Sequence, residues 1–154
     1  MIKLHELFMQ EALRQAKKAY AADEVPIGAV IVYQNKIIAK SHNQVELLKD
    51  PTAHAEMIAI TQATSHLSSK WLQECGLYVT IEPCSMCAGA LVLARLGHLY
   101  FGAEEPKTGA CGSLMNIAQH KQLNHKVDVH GGVLAVECGA LLTEFFKKKR
   151  SKMN

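Results

Sequence analysis

Leu4, Phe8, Ala12, Ala16 and Ala19 recur at helical spacing with Lys17 and Lys18 on the opposite side, so residues 4–21 read as an amphipathic helix. Pro26 closes that region. Residues 27–33 form a short apolar run rich in Val and Ile, and residues 36–40 form a second, with the turn-like pair Gln34-Asn35 between them. This pattern predicts a hairpin whose first strand is buried. Asp50-Pro51-Thr52 offers a capping side chain and a proline before the Ala/Ile/Met-rich stretch 53–64, the composition of a helix start. His54 and Glu56 then fall in a first helical turn. Residues 77–81 read as a buried strand, Pro83 can open a helix running to about 96, and residues 98–101 read as the next strand. The glycines and proline of 102–113 mark a loop, followed by a short strand near 127–129 and a helix over 134–149.

Strands and helices alternating after an opening hairpin imply a mixed α/β sandwich with helices on both sheet faces. The chain has 154 residues, 49% hydrophobic and 20% charged, which is one domain's worth of ordinary globular composition, 1–154. An acid and a histidine stand among the first six residues where a signal peptide would need an apolar core, and no apolar run reaches membrane-spanning length. The expectation is a cytoplasmic protein with no membrane partner. Of the 5 cysteines, Cys75, Cys111 and Cys138 read as reduced thiols used as small hydrophobes. His42, His66, His98, His120, His125 and His130 have no ligand spacing and read as surface or core residues. A net charge of +3 does not by itself announce nucleic acid, so the distribution matters more. Lys147 to Arg150 and Lys152 make a basic helix end over about 145–154, fit either to complement the helix dipole or to meet phosphates.

Two pieces carry chemistry: His54-Ala55-Glu56 and Pro83-Cys84-Ser85-Met86-Cys87. Zinc favours thiolate and imidazole, and a catalytic zinc takes three protein ligands while keeping a fourth position open. His54, Cys84 and Cys87 supply three, for one ion per chain. Cys84 and Cys87 are three apart on one predicted helix, so their sulfurs can point the same way from its first turn, where the dipole favours thiolate. His54 and Glu56 are two apart, and only the very start of a helix lets both serve one pocket. Glu56 is then a proton shuttle and not a ligand. Singly, a Cys-x-x-Cys also fits structural zinc or a redox pair, and a histidine on an apolar helix also fits a core residue. Together, His-x-Glu followed by Pro-Cys-x-x-Cys is the known signature of zinc-dependent nucleobase deaminases, a matched pattern and not a derivation from spacing.

Beyond that signature, the chain resembles the bacterial tRNA-specific adenosine deaminases over nearly its whole length. The resemblance rests on Glu24-Val25-Pro26-Ile27-Gly28-Ala29-Val30, His54-Ala55-Glu56, the run from Leu77 to Cys84, Met86-Cys87-Ala88-Gly89-Ala90, Lys107-Thr108-Gly109 and Gly112-Ser113-Leu114-Met115. It implies a cytidine-deaminase-like three-layer α/β/α sandwich around a mixed five-stranded sheet. It further implies a homodimer and hydrolytic conversion of the wobble adenosine, position 34, of a tRNA anticodon stem-loop to inosine. By the same resemblance Asn43 contacts the flipped purine, the Ala55 backbone amide lies beside the ring, and Glu105 sits in a loop near the substrate nucleotide. At that position the family has aspartate, so this chain departs from the pattern in its ribose contact. For Asn43 the alternative is a loop residue stabilising a turn.

Two rival functions remain at this point. A deaminase of a free base or nucleoside shares the metal and Glu56 but needs no basic tail. A non-catalytic RNA-binding module stapled by zinc needs a fourth protein ligand, for which Cys111 is the candidate, and has no use for Glu56.

Overall fold

The computed structural model describes residues 2–153; Met1 and Asn154, the two ends of the expected single domain, lie outside the described residues. Helix α1 (Ile2–Ala21) is followed by the hairpin β1 (Gly28–Tyr33) and β2 (Lys36–His42). Then come α2 (Val45–Leu48), α3 (Ala55–Leu67), β3 (Cys75–Ile81), α4 (Ser85–Leu93), β4 (His98–Ala103), β5 (Asp128–His130) and α5 (Ala135–Met153). The strands form one five-stranded sheet in the order β2-β1-β3-β4-β5. β1 is antiparallel to both β2 and β3, while β3, β4 and β5 run parallel, so the sheet is mixed as expected.

The period of two along the central strands assigns the layers. In β1, Ala29 and Ile31 join the core under α3 and α4, whereas Val30 and Val32 pack against Phe8, Met9, Ala12 and Leu13 of α1. α5 packs beside α1 against β3 and β4, which completes the three layers. At Gly28 the backbones of α1 and β1 approach so closely that a Cβ would overlap the Ala12 carbonyl and the Ala16 amide. The hairpin turn has φ of 51° at Gln34 and 61° at Asn35, the left-handed pair that a two-residue turn needs to match strand twist.

Three details differ from the sequence pattern. α3 starts at Ala55 and not at 53, because Asp50 does not cap it: Asp50 Oδ1 accepts from the Thr52 amide at 2.8 Å and the Thr52 hydroxyl at 2.7 Å, a local turn. The short α2 has no amphipathic signature. Its first amides are held instead by the buried Glu24, whose carboxylate accepts from the Glu46 and Leu47 amides at 2.9 and 2.8 Å. Finally, α5 continues through the basic tail to Met153, with Lys149 paired to Asp23 at 2.7 Å.

Candidate metal centre and substrate cleft

Two helix starts converge at one point. His54 is the N-cap of α3 with φ −77° and ψ 151°, and Cys84 is the N-cap of α4 with φ −75° and ψ 178°. An N-cap residue is extended, so its side chain folds over the first turn instead of radiating from the helix. That geometry answers both spacing questions. Cys84 at the N-cap and Cys87 three residues on meet for the same reason that the two residues of a capping box meet. His54 at the N-cap and Glu56 two residues on share a pocket because only Glu56 is fully helical. Neither N-cap side chain makes a capping hydrogen bond. Both are turned toward the cluster instead.

His54 Nδ1 lies 3.6 Å from Cys84 Sγ and 3.5 Å from Cys87 Sγ. The three donor atoms lie within 4.8 Å of one another. Within the cluster the Cys87 thiol, and then His54, bring the Cys84 pKa down to about 3 against the cost of burial. The bond to Cys84, with burial, pushes the Cys87 thiol far up. His54 is raised, chiefly by its bond to Cys84. His54, Cys84 and Cys87 could hold a divalent cation in place of their protons, since two thiolates and one neutral imidazole would balance its charge.

Glu56 is 3% exposed, and its Oε1 is a buried oxygen with no hydrogen-bond partner among the described residues. Burial pushes its carboxyl up to about 7, partly offset by a backbone bond and by His54. A buried carboxylate oxygen without a partner costs on the order of 1–3 kcal/mol, and more when charged, so it marks a place where something else binds. Among the described residues Cys111 is not one of the converging donors; it is buried, with its thiol pushed up to about 12 by that burial. Three donors and an unpartnered carboxylate therefore fit an open, catalytic zinc site better than a closed structural one.

A cavity of about 650 Å³ opens over this cluster, lined by His54, Glu56, Cys84, Glu105, Phe146 and Arg150 among others. A neighbouring cavity of about 850 Å³ shares His54 and Phe146 and adds Asn43, Glu46 and Lys149. Lys149 and Arg150 thus carry the basic end of α5 to the cleft. Asn43 and Ala55 meet there as partners: Asn43 Oδ1 accepts the Ala55 amide at 2.8 Å, doing for the start of α3 what Asp50 does not. Asn43 is buried and its carboxamide is fixed by that bond. Glu105 lines the smaller cavity, and its Oε1 accepts the Lys107 amide at 3.1 Å.

Glu82 organises this loop, a role the sequence reading missed. Its buried carboxylate accepts from the amides of Glu105, Cys111 and Ser113 at 3.1, 3.0 and 3.1 Å and from the Ser113 hydroxyl. Burial alone would raise its pKa, but these donors hold it below the usual carboxylate range. Gly109 is part of the same device, because a Cβ there would overlap the Glu82 carboxylate. An acid directly after the buried run 77–81 is the signal that could have found it, since such a charge persists only when bonded.

A family model for MafB19-like deaminases matches residues 4–150. A tRNA-specific adenosine deaminase of Bacillus subtilis (strain 168) is 49% identical over 147 residues, covering 96% of this chain and 91% of the relative. That of Aquifex aeolicus (strain VF5) is 50% identical over 148 residues, covering 96% and 97%. A solved structure from a study of A-to-I editing by tRNA:A34 deaminases at the wobble position of transfer RNA superposes with a TM-score of 0.83. It is 43% identical, covering 88% of this chain and 98% of that one.

Proposed function

Because the chain belongs to the family of tRNA-specific adenosine deaminases, we propose that it hydrolyses the wobble adenosine, position 34, of tRNA anticodons to inosine. The observation that carries this reading is the unpartnered Glu56 Oε1 beside the converging His54, Cys84 and Cys87 donors. These three residues would hold one zinc ion per chain. Bound there, zinc supplies the Lewis acidity that makes water a nucleophile near neutral pH. Glu56 takes one proton from the attacking water and passes it to the ring nitrogen N1, then takes the second from the oxygen newly bonded to C6 and passes it to the departing exocyclic amine. A C6–O bond forms, the C6–N bond breaks, and ammonia leaves.

Asn43, held by the Ala55 amide, turns its remaining amide donor to the purine, so Ala55 positions the ring through Asn43. Glu105, carried on the loop that Glu82 anchors, sits beside the substrate nucleotide and keeps a carboxylate near the ribose. Lys149 and Arg150 offer charge to the phosphates that flank the flipped base. An anticodon loop presents its bases already unpaired, which lowers the unstacking cost. The protein acts as a homodimer in the cytoplasm; among the described residues no helix is long and apolar enough to cross a membrane.

Treating a total tRNA pool with the zinc-loaded protein and sequencing reverse transcripts tests the site of action, because inosine is read as guanosine. The expected result is adenosine-to-guanosine change confined to the wobble position. Conversion spread over other loops, or none in tRNAs with adenosine there, contradicts the proposal.

A further inference from the structure

A second cluster of cation-binding groups lies away from the cleft. In the parallel β4–β5 pair, His98 stands opposite Asp128 and Tyr100 opposite His130, so the period of two puts all four side chains on one face of the sheet. His98 Nδ1 and His130 Nε2 each lie 2.9 Å from the same oxygen, Asp128 Oδ2. The three donor atoms lie within 4.8 Å of one another. We propose that His98, Asp128 and His130 form a second, surface binding site for a divalent transition-metal cation such as Zn²⁺ or Ni²⁺.

Two imidazoles and one carboxylate on one side of a site, with the other side open, suit ions of this class, which take mixed nitrogen and oxygen donors. Without a cation, both ring nitrogens have to carry protons aimed at one oxygen. A dication replaces these protons and satisfies all three groups at once. The bonds from His130 and His98 hold the Asp128 carboxyl below its usual range, so it is an anion when the histidines are neutral. The imidazole of His130 is also oriented in advance: Tyr100 stacks on it at 5.1 Å and 17°, and His5 of α1 stacks on Tyr100 at 4.4 Å and 24°. Such backing fixes ring orientation as supporting contacts do at metal sites generally. The side chains of His98, Asp128 and His130 are 52%, 53% and 49% exposed, so the cation can enter from solvent and keep water ligands.

The two sites are independent in space. Cys84 follows the C-terminal end of β3, whereas His98 opens β4 at the opposite end of the parallel pair, where it is level with Gly76. The intervening six-residue strand spans about 20 Å. The clusters also occupy opposite faces, since Leu99 and Phe101 point to the core under α3 and α4. A bound cation would clip the three-residue edge strand β5 to β4.

The test uses untagged, zinc-loaded protein titrated with Ni²⁺ alone, with both metals counted by elemental analysis after equilibrium dialysis. The wild type is expected to bind about one Ni²⁺ per chain while its zinc is retained, and its melting temperature should rise. The double variant His98→Gln/His130→Gln should bind Ni²⁺ at least about tenfold more weakly, lose the temperature shift, and keep its zinc and its deaminase rate. Asp128→Asn should act in the same direction. No Ni²⁺ uptake by the wild type up to about 1 mM would overturn the site, as would uptake by the double variant with unchanged affinity.

Discussion

Replacing Glu56 with alanine is expected to slow deamination by roughly 10²–10⁴-fold or more, while about one zinc per chain stays in place. The upper end is the more natural outcome, because one carboxylate serves successive steps: it carries the first proton of the attacking water to the ring nitrogen and the second to the leaving amine. Zinc retention follows from geometry, since His54 Nδ1, Cys84 Sγ and Cys87 Sγ converge without help from Glu56. Stability should not suffer, because the variant removes a buried oxygen that has no partner in the protein. Residual rate and metal content, measured on the same sample, check this. A variant that has lost both zinc and activity would show that Glu56 is a ligand.

Replacing Cys84 with alanine should abolish both metal and activity. Three ligands fall to two, because Cys84 Sγ is one of the three donor atoms that converge within 4.8 Å of one another. The variant should also melt at a lower temperature than zinc-loaded wild type and close to wild type stripped by a chelator, because a cation that binds only the folded chain stabilises it. Elemental analysis and a thermal melt with and without chelator decide the matter. Cys84→Ala that still holds one zinc per chain would mean that another residue completes the site.

The apolar runs and the helical period of α1 make the layers legible in the sequence. β1 and β3 are short apolar runs buried on both faces, and α1 is amphipathic, so burial alone specifies them. The chemistry was legible as well, because zinc donors are few in kind and His54, Cys84 and Cys87 stand in short motifs. What stayed hidden is held by contacts distant in sequence. α2 exists because Glu24 reaches its amides from the segment between α1 and β1, and α3 begins at Ala55 because Asn43 supplies the bond that the sequence pattern assigns to Asp50. Glu82 is marked by its place after a buried run, but its partners, Gly109 among them, lie far along the chain and carry no signal of that pairing. The spacing of His98 and His130 fits no ligand motif; strand register, not sequence separation, brings them to one oxygen.

The most direct test compares kcat/KM of the zinc-loaded protein for an anticodon stem-loop with adenosine at the wobble position and for free adenosine. Both present the same ring to Glu56. Only the stem-loop offers phosphates to Lys149 and Arg150 and flanking nucleotides whose binding energy can orient C6. The account predicts a stem-loop advantage of at least about 10³-fold, corresponding to roughly 4 kcal/mol of remote binding energy used in the transition state. Comparable kcat/KM for the two would contradict it and leave a nucleoside deaminase in its place.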